Sequence, residues 1–169
     1  MIASSKTRAS TRLQSELRQA KPFASIQAEA FLNLVRTSEQ MQHALRVKLK
    51  PYDITETQYN ALRILRGAGK NGLTCAEIGE RLVSRDPDIT RLVGRLERQG
   101  LARRERGGKD RRVVLTKITV AGLAKLNETD AVIGGTVKAL LQHLSQPELR
   151  QMIDLLERAR RPAARGRAE

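Results

Sequence analysis

Asp86-Pro87-Asp88-Ile89-Thr90-Arg91-Leu92-Val93-Gly94-Arg95-Leu96-Glu97-Arg98-Gln99-Gly100 reads as a complete helix with both ends written in. Asp86 is a good N-cap, and Pro87 suits the first helical position, where a missing N–H costs nothing. Gly100 is the residue that accepts the left-handed turn just past a helix end. Between them Ile89, Leu92, Val93 and Leu96 fall at i, i+3, i+4 and i+7, one buried stripe. Asp88, Thr90, Arg91, Arg95 and Arg98 lie off that stripe, so the outer face is polar and cationic.

Upstream, two more helix starts are equally explicit. In Leu73-Thr74-Cys75-Ala76-Glu77-Ile78, Thr74 and Glu77 have capping-box spacing, and Leu73 and Ile78 have the spacing of a hydrophobic staple. The spacing predicts a short helix ending near Val83, followed by Ser84 and Arg85. In Ile54-Thr55-Glu56-Thr57-Gln58-Tyr59 the same two devices start a helix at Glu56 that runs to about Arg66, and the run GAGKNG breaks it. Before that, a long helix from about Ser25 to Lys50 carries Ile26, Phe31, Leu34, Val35, Leu45 and Leu49, and Pro51 stops it.

Downstream of Gly100 the period changes from helical to alternating. LARRER and RRVVLTKI read as two short strands joined by the turn GGKD, a hairpin with a basic tip. Thr119 then caps a helix to about His143, which Gly134-Gly135 should weaken or bend. Ser145 and Glu148 form a third capping box, and Leu149, Met152, Ile153 and Leu156 form the last apolar stripe.

A short helix, a tight connection, a second helix with a cationic outer face and an immediate hairpin make a helix-turn-helix with a wing. The fold class is therefore mainly α with a small β-hairpin wing, a winged helix-turn-helix flanked by further helices. The major groove of DNA is ~12 Å wide and admits one α-helix, which needs an apolar stripe for its own domain and donors for the bases. Residues 86–100 supply both. The hairpin tip can reach flanking backbone or minor groove, where cations are favoured.

The composition agrees. The chain has 169 residues, with 32 Lys and Arg against 18 Asp and Glu, a formal net charge of +14. That surplus draws polyanions, either nucleic acid or an anionic membrane surface. No apolar run approaches the ~20 residues of a membrane span, and the N-terminus lacks the apolar centre of a secretory signal. We expect no membrane association and a cytoplasmic protein. The single cysteine, Cys75, cannot form an internal disulfide and fits a reducing compartment. Residues 1–22 and 161–169 are rich in Arg and Lys and poor in large apolar residues, and are expected to be disordered basic tails. Residues 23–160 are expected to form one domain, with a DNA-binding part at about 54–118 and flanking helices at about 25–50 and 119–160.

Catalysis has little support. Two histidines and one cysteine, without His, Asp or Glu clustered at ligand spacing, give no metal centre, and no cofactor is expected. GAGKNG follows a helix rather than a strand and does not match a phosphate loop.

The run from Leu73 to Gly122 resembles the MarR family of bacterial winged-helix regulators, and the likeness extends over roughly residues 25–160. It rests on ITETQYNALRILRGAG, PDITRLVGRLERQGL, the KDRR wing tip with its Asp-x-Arg pattern at Asp110 and Arg112, and the ITVAG start of the next helix. The resemblance implies a dimeric, sequence-specific transcription regulator, a repressor of a pseudo-palindromic operator, open to relief by a small-molecule effector. It places the DNA contacts on Ser84, Arg85, Pro87, Asp88, Thr90, Arg91 and Arg95 of the helix-turn-helix and on Arg106, Lys109, Asp110 and Arg112 of the wing. Arg112 would enter the minor groove, and Asp110 would orient a neighbouring arginine. Gly94 stands where many relatives carry a polar residue. The partners implied are double-stranded DNA and a second copy of the chain, so that residues 23–160 are the regulator domain and the helices at about 25–50 and 119–160 its helical dimerisation region.

Several readings stay open at this stage. Arg91 and Arg95 can read base edges or phosphates. Only some of Arg103, Arg104 and Arg106 can face DNA, because they alternate on a strand. Cys75 is either a packed, inert thiol or a redox sensor at a helix N-terminus. His43, Tyr52 and Tyr59 lie where the long first helix meets the winged part, without defining a ligand site. A non-sequence-specific architectural DNA-binding protein is the alternative function, and it predicts steep salt dependence with little specificity. An RNA-binding winged helix is disfavoured, since neither the candidate recognition helix nor the wing carries an aromatic side chain for stacking.

Overall fold

The computed structural model describes residues 11–84, 88–107 and 113–161. Its elements are α1 (Arg12–Glu16), α2 (Ile26–Leu49), α3 (Glu56–Ala68), α4 (Cys75–Arg81), α5 (Ile89–Arg98), β1 (Ala102–Arg106), β2 (Val114–Ile118), α6 (Val120–Leu141) and α7 (Gln146–Arg160). Single 3-10 turns at Lys50–Tyr52 and Gly69–Asn71 end α2 and α3.

The local helix signals act as expected. Thr55 and Gln58 close a reciprocal capping box, with Gln58 N–H donating to Thr55 Oγ1 at 3.2 Å and Thr55 N–H donating to Gln58 Oε1 at 2.9 Å. Thr74 and Glu77 do the same for α4, and the box holds the Glu77 carboxyl below the usual carboxylate range. The staple residues Ile54, Tyr59, Leu73 and Ile78 are all buried. Behind α5, Leu92, Val93 and Leu96 are buried and join Leu62, Leu65 and Ile78 in one core. Cys75 packs half-buried against the same core.

β1 and β2 pair antiparallel, with Arg104 opposite Thr116. A bridge from Leu73 to Thr116 adds a third, one-residue rung, in which each residue's N–H donates to the other's carbonyl. α6 then crosses back to pack on both α3 and α2.

Several boundaries differ from the sequence expectation. α5 is capped by Asp88, whose side chain accepts the Arg91 N–H, so the helix starts two residues later than Asp86 and Pro87 suggest. α4 ends at Arg81, where Leu82 turns extended and becomes buried. Leu101 belongs to the end of α5 rather than to β1, because its N–H bonds back to the Leu96 carbonyl. α6 runs unbroken through Gly134 and Gly135 and stops at Leu141 rather than His143. The expected disordered arm also differs at its inner end. Residues 12–16 form α1, with Leu13 only 3% exposed, whereas residues 1–10 lie outside the described residues, as do 162–169.

The apolar stripes of the outer helices are only partly covered on the single chain. α7 has no buried residue, and α2 buries only Leu49. Ile26, Phe31, Leu34 and Val35 on α2 and Ile153 and Leu155 on α7 are all exposed. Among the described residues no helix is long and apolar enough to cross a membrane.

Candidate nucleic-acid interface

The candidate surface is built on α4, the following turn and α5. Side chains from elsewhere hold α5 and the residues that follow α4. At its C-terminus, Gly100 sits at φ +70° and donates to Glu97 O while Leu101 donates to Leu96 O, the two-bond helix end that a left-handed residue permits. Gln99, the C-cap, is then gripped twice. Its Nε2 donates to the Asp53 carbonyl at 3.1 Å, and its Oε1 accepts Nε2 of buried Gln58 at 2.8 Å. At the other end, the turn after α4 is tied to α3, where Asn60 Oδ1 accepts the Val83 N–H at 2.9 Å.

The wing root is fastened to α5 by Arg104. Its Nη2 donates to the Thr90 carbonyl at 3.1 Å and its Nη1 lies 3.6 Å from Glu97. Strand alternation puts Arg103 and Glu105 on the opposite face of the hairpin. There Glu105 pairs with Arg103 at 2.8 Å and Lys117 at 2.6 Å, and the Lys117 hydrogen bond holds its carboxyl below the usual range. Arg103 and Arg104 are therefore both occupied within the fold.

Against that background, Arg91 and Arg95 stand out. Both are exposed on the outer face of α5, and neither guanidinium has a hydrogen bond or ion pair among the described residues. Thr90 is exposed beside them, and Ser84 is exposed in the preceding turn. Asp88 is committed to the helix cap, which orients the first turn of α5. Arg106 is exposed at the end of β1. Of the other expected contact residues, Arg85 and Pro87 in the turn and Lys109, Asp110 and Arg112 in the wing lie outside the described residues. Gly94 is half-buried, and a Cβ there would meet only the Arg104 guanidinium, at 3.8 Å.

Asn60, Gln99 and Arg104 were not legible as site residues. Each acts through a partner distant in sequence, and polar residues with no local partner carry no positional signal. Only Gln58 gave a hint, since a capping box uses the oxygen of its amide and leaves the nitrogen to find a partner.

A cleft of about 810 Å³ opens behind the C-terminal half of α5, lined by Arg46, Lys50, Ile54, Glu56, Arg95 and Arg98 among others. Glu56 Oε1 is buried there with no hydrogen-bond partner among the described residues, and burial raises its carboxyl pKa despite Arg46 nearby.

A short helix, a pinned turn, a capped helix with a cationic outer face and a hairpin fastened to it define a winged helix-turn-helix. A family model described as the MarR family matches residues 52–113. The MarR transcription factor of Planctomyces limnophilus is 35% identical, with 80% of this chain and 98% of that one covered and a TM-score of 0.62. S. aureus MepR, solved with DNA, is 25% identical over 78% of this chain and 94% of that one, with a TM-score of 0.68. BpsR of Bordetella bronchiseptica, whose DNA binding is regulated by 6-hydroxynicotinic acid, shares the fold at 17% identity, covering 85% and 100% of the two chains, with a TM-score of 0.74. The chain belongs to the MarR family of transcription regulators.

Proposed function

We propose that this protein is a dimeric, sequence-specific repressor that binds a pseudo-palindromic operator through α5 and the wing. The observation that carries the reading is the pair Arg91 and Arg95. Every other described arginine of α5 and β1 except Arg106 has an intramolecular partner, whereas these two point their unengaged donors outward from a helix locked at both ends. Unengaged guanidinium groups on a rigid helix are suited to bidentate contacts with guanine edges or to phosphates. Thr90, Ser84, Arg85 and Pro87 would flank them, and Arg106, Lys109 and Arg112 would follow the backbone and minor groove from the wing, with Asp110 orienting a neighbouring arginine.

The dimer reading rests on α7. A fifteen-residue helix with no fully buried residue, its Ile153 and Leu155 exposed beside Phe31, Leu34 and Val35 on α2, needs a partner surface. A second copy supplies it by two-fold symmetry, which would place the two recognition helices about one turn of DNA, ~34–36 Å, apart. The cleft behind α5 would seat a small-molecule effector, because Arg95 lines both it and the outer face. An effector bound there shifts the protein toward a DNA-incompetent state only by binding that state better.

Selection from a random duplex pool at physiological salt tests the proposal. Enrichment of a two-fold-symmetric motif is the expected result. Binding with no enriched motif would refute it in favour of non-specific architectural binding, which the charge of +14 would then explain.

A further inference from the structure

α6 meets α3 through a polar bridge that the candidate DNA surface does not use. Tyr59 and Arg66 lie seven residues, two helical turns, apart on one face of α3. Asp130 on α6 faces both. Its Oδ1 accepts the Tyr59 hydroxyl at 2.7 Å, and its Oδ2 accepts Arg66 Nη1 at 2.6 Å. Arg63, between them on the helix, lays its guanidinium over the Tyr59 ring, 5.8 Å from the centroid. Each carboxylate oxygen is thus held by a different turn of one helix.

Geometry gives this bridge more than a packing role. The apolar residues around it, Leu62, Leu65, Leu126 and Ile133, belong to the same core. Hydrophobic contact is non-directional, so on its own it lets one helix rotate or slide slightly over another at small cost. Two directional hydrogen bonds, two turns apart and meeting at one carboxylate, oppose both motions. α3 also holds the C-cap of α5, through Gln58 to Gln99, and the residues that follow α4, through Asn60 to Val83. The C-terminal end of α5 also meets the first turn of α6 directly, through Thr119, so Asp130 supplies a second tie, set near the middle of α6, that fixes the attitude of α3 and with it α5.

We propose that Asp130 is a positioning residue that sets the angle of the winged domain on α6, and through it the separation of the two recognition helices in the dimer; this rests on the dimeric-operator reading above.

The test uses the full chain and three duplexes: the selected operator, the same operator with one base pair inserted at its dyad, and a single half-site. One extra base pair displaces the half-sites by about 3.4 Å and turns them by roughly 35°. Wild type should prefer the native spacing by about tenfold or more, the equivalent of ~1.4 kcal/mol. Asp130→Asn keeps an oxygen for Tyr59 but loses the anion that Arg66 needs, and Tyr59→Phe removes the other bond. Both variants, shown to be folded by circular dichroism, should bind the two full operators within about threefold of each other while half-site affinity stays near wild type. A residue that only supports the fold would weaken all three duplexes in proportion. If both variants keep the wild-type spacing preference, the inference is overturned and the dimeric reading stands. If wild type itself shows no spacing preference, the dimeric reading fails and takes the inference with it.

Discussion

Replacing Gly122 with alanine puts a methyl group into the joint between α6 and the end of α5. A Cβ built on Gly122 lies 2.1 Å from the Leu101 carbonyl oxygen and 2.8 Å from Ile118 Cγ1. Ordinary C···O contacts begin near ~3.3 Å, so the first turn of α6 must retreat by about 1.2 Å. The same carbonyl accepts the Thr119 N–H at 3.1 Å, and Thr119 Oγ1 donates to Gly100 O at 2.6 Å, so a retreat strains both bonds. Overpacking of this kind costs ~1–3 kcal/mol and each weakened hydrogen bond up to ~0.5–1.5, against a gain of about 1 from alanine's helix propensity. A net loss of about 2–3 kcal/mol follows, which for a chain of this length lowers the melting temperature by roughly 4–12 °C. Gly134 and Gly135 provide an internal control. They lie in the same helix with nothing within 4 Å of a built Cβ, so the identical substitution should there add about 0.4–1 kcal/mol. Urea and thermal melts at one fixed protein concentration read all three. A Gly122→Ala chain as stable as wild type would refute the close approach of α6 to the end of α5.

Tyr59 gives a pH signature. Its hydroxyl is pushed up from 10.0 to about 12, first by burial and then by the Asp130 carboxylate. The folded chain therefore keeps this proton longer than the unfolded one, and the associated stability is whole below pH 10 and lost as the pH climbs through 12. Thermal melts between pH 9 and 12 should show wild type falling more steeply than Tyr59→Phe, and parallel curves would show that the tyrosine is not so held. Arg91→Ala should relax preference at one base position by ~1–3 kcal/mol, read by competition with operator variants, whereas equal loss on every sequence would assign the residue to phosphate. Arg112→Ala should weaken operator binding and lower the slope of log K against log salt by roughly one contact, and an unchanged slope would remove that arginine from the wing's contacts.

The parts of this fold that were legible in the sequence are the parts decided within a few residues. The capping boxes at Thr55 and Thr74, the staples Ile54–Tyr59 and Leu73–Ile78, and the glycine at position 100 each encode a local geometry that needs no knowledge of the rest of the chain. The stripe of Leu92, Val93 and Leu96 is legible for the same reason. Where two local signals competed, the reading slipped. Both Asp86 and Asp88 can cap α5, and proline's preference for the first helical position pointed to the earlier one. Leu13 was missed because a single buried leucine is diluted by the basic residues around it. Contacts between Gln58 and Gln99, Arg104 and Thr90, or Asp130 and Arg66 have no local signature at all, since they exist only once distant segments have been brought together.

The partly exposed apolar seam along α2 and α7 has a consequence for how much of this protein must be present. On the proposed dimer, folding of the outer helices and pairing of the chains draw on the same apolar surface, so mass action joins them. Dilution then loosens the helices as well as separating the copies, and the melting temperature climbs with concentration. Occupancy of a two-fold site would rise more steeply than in proportion to copy number wherever single chains predominate. A regulator of this design counts its own molecules before it reads a sequence.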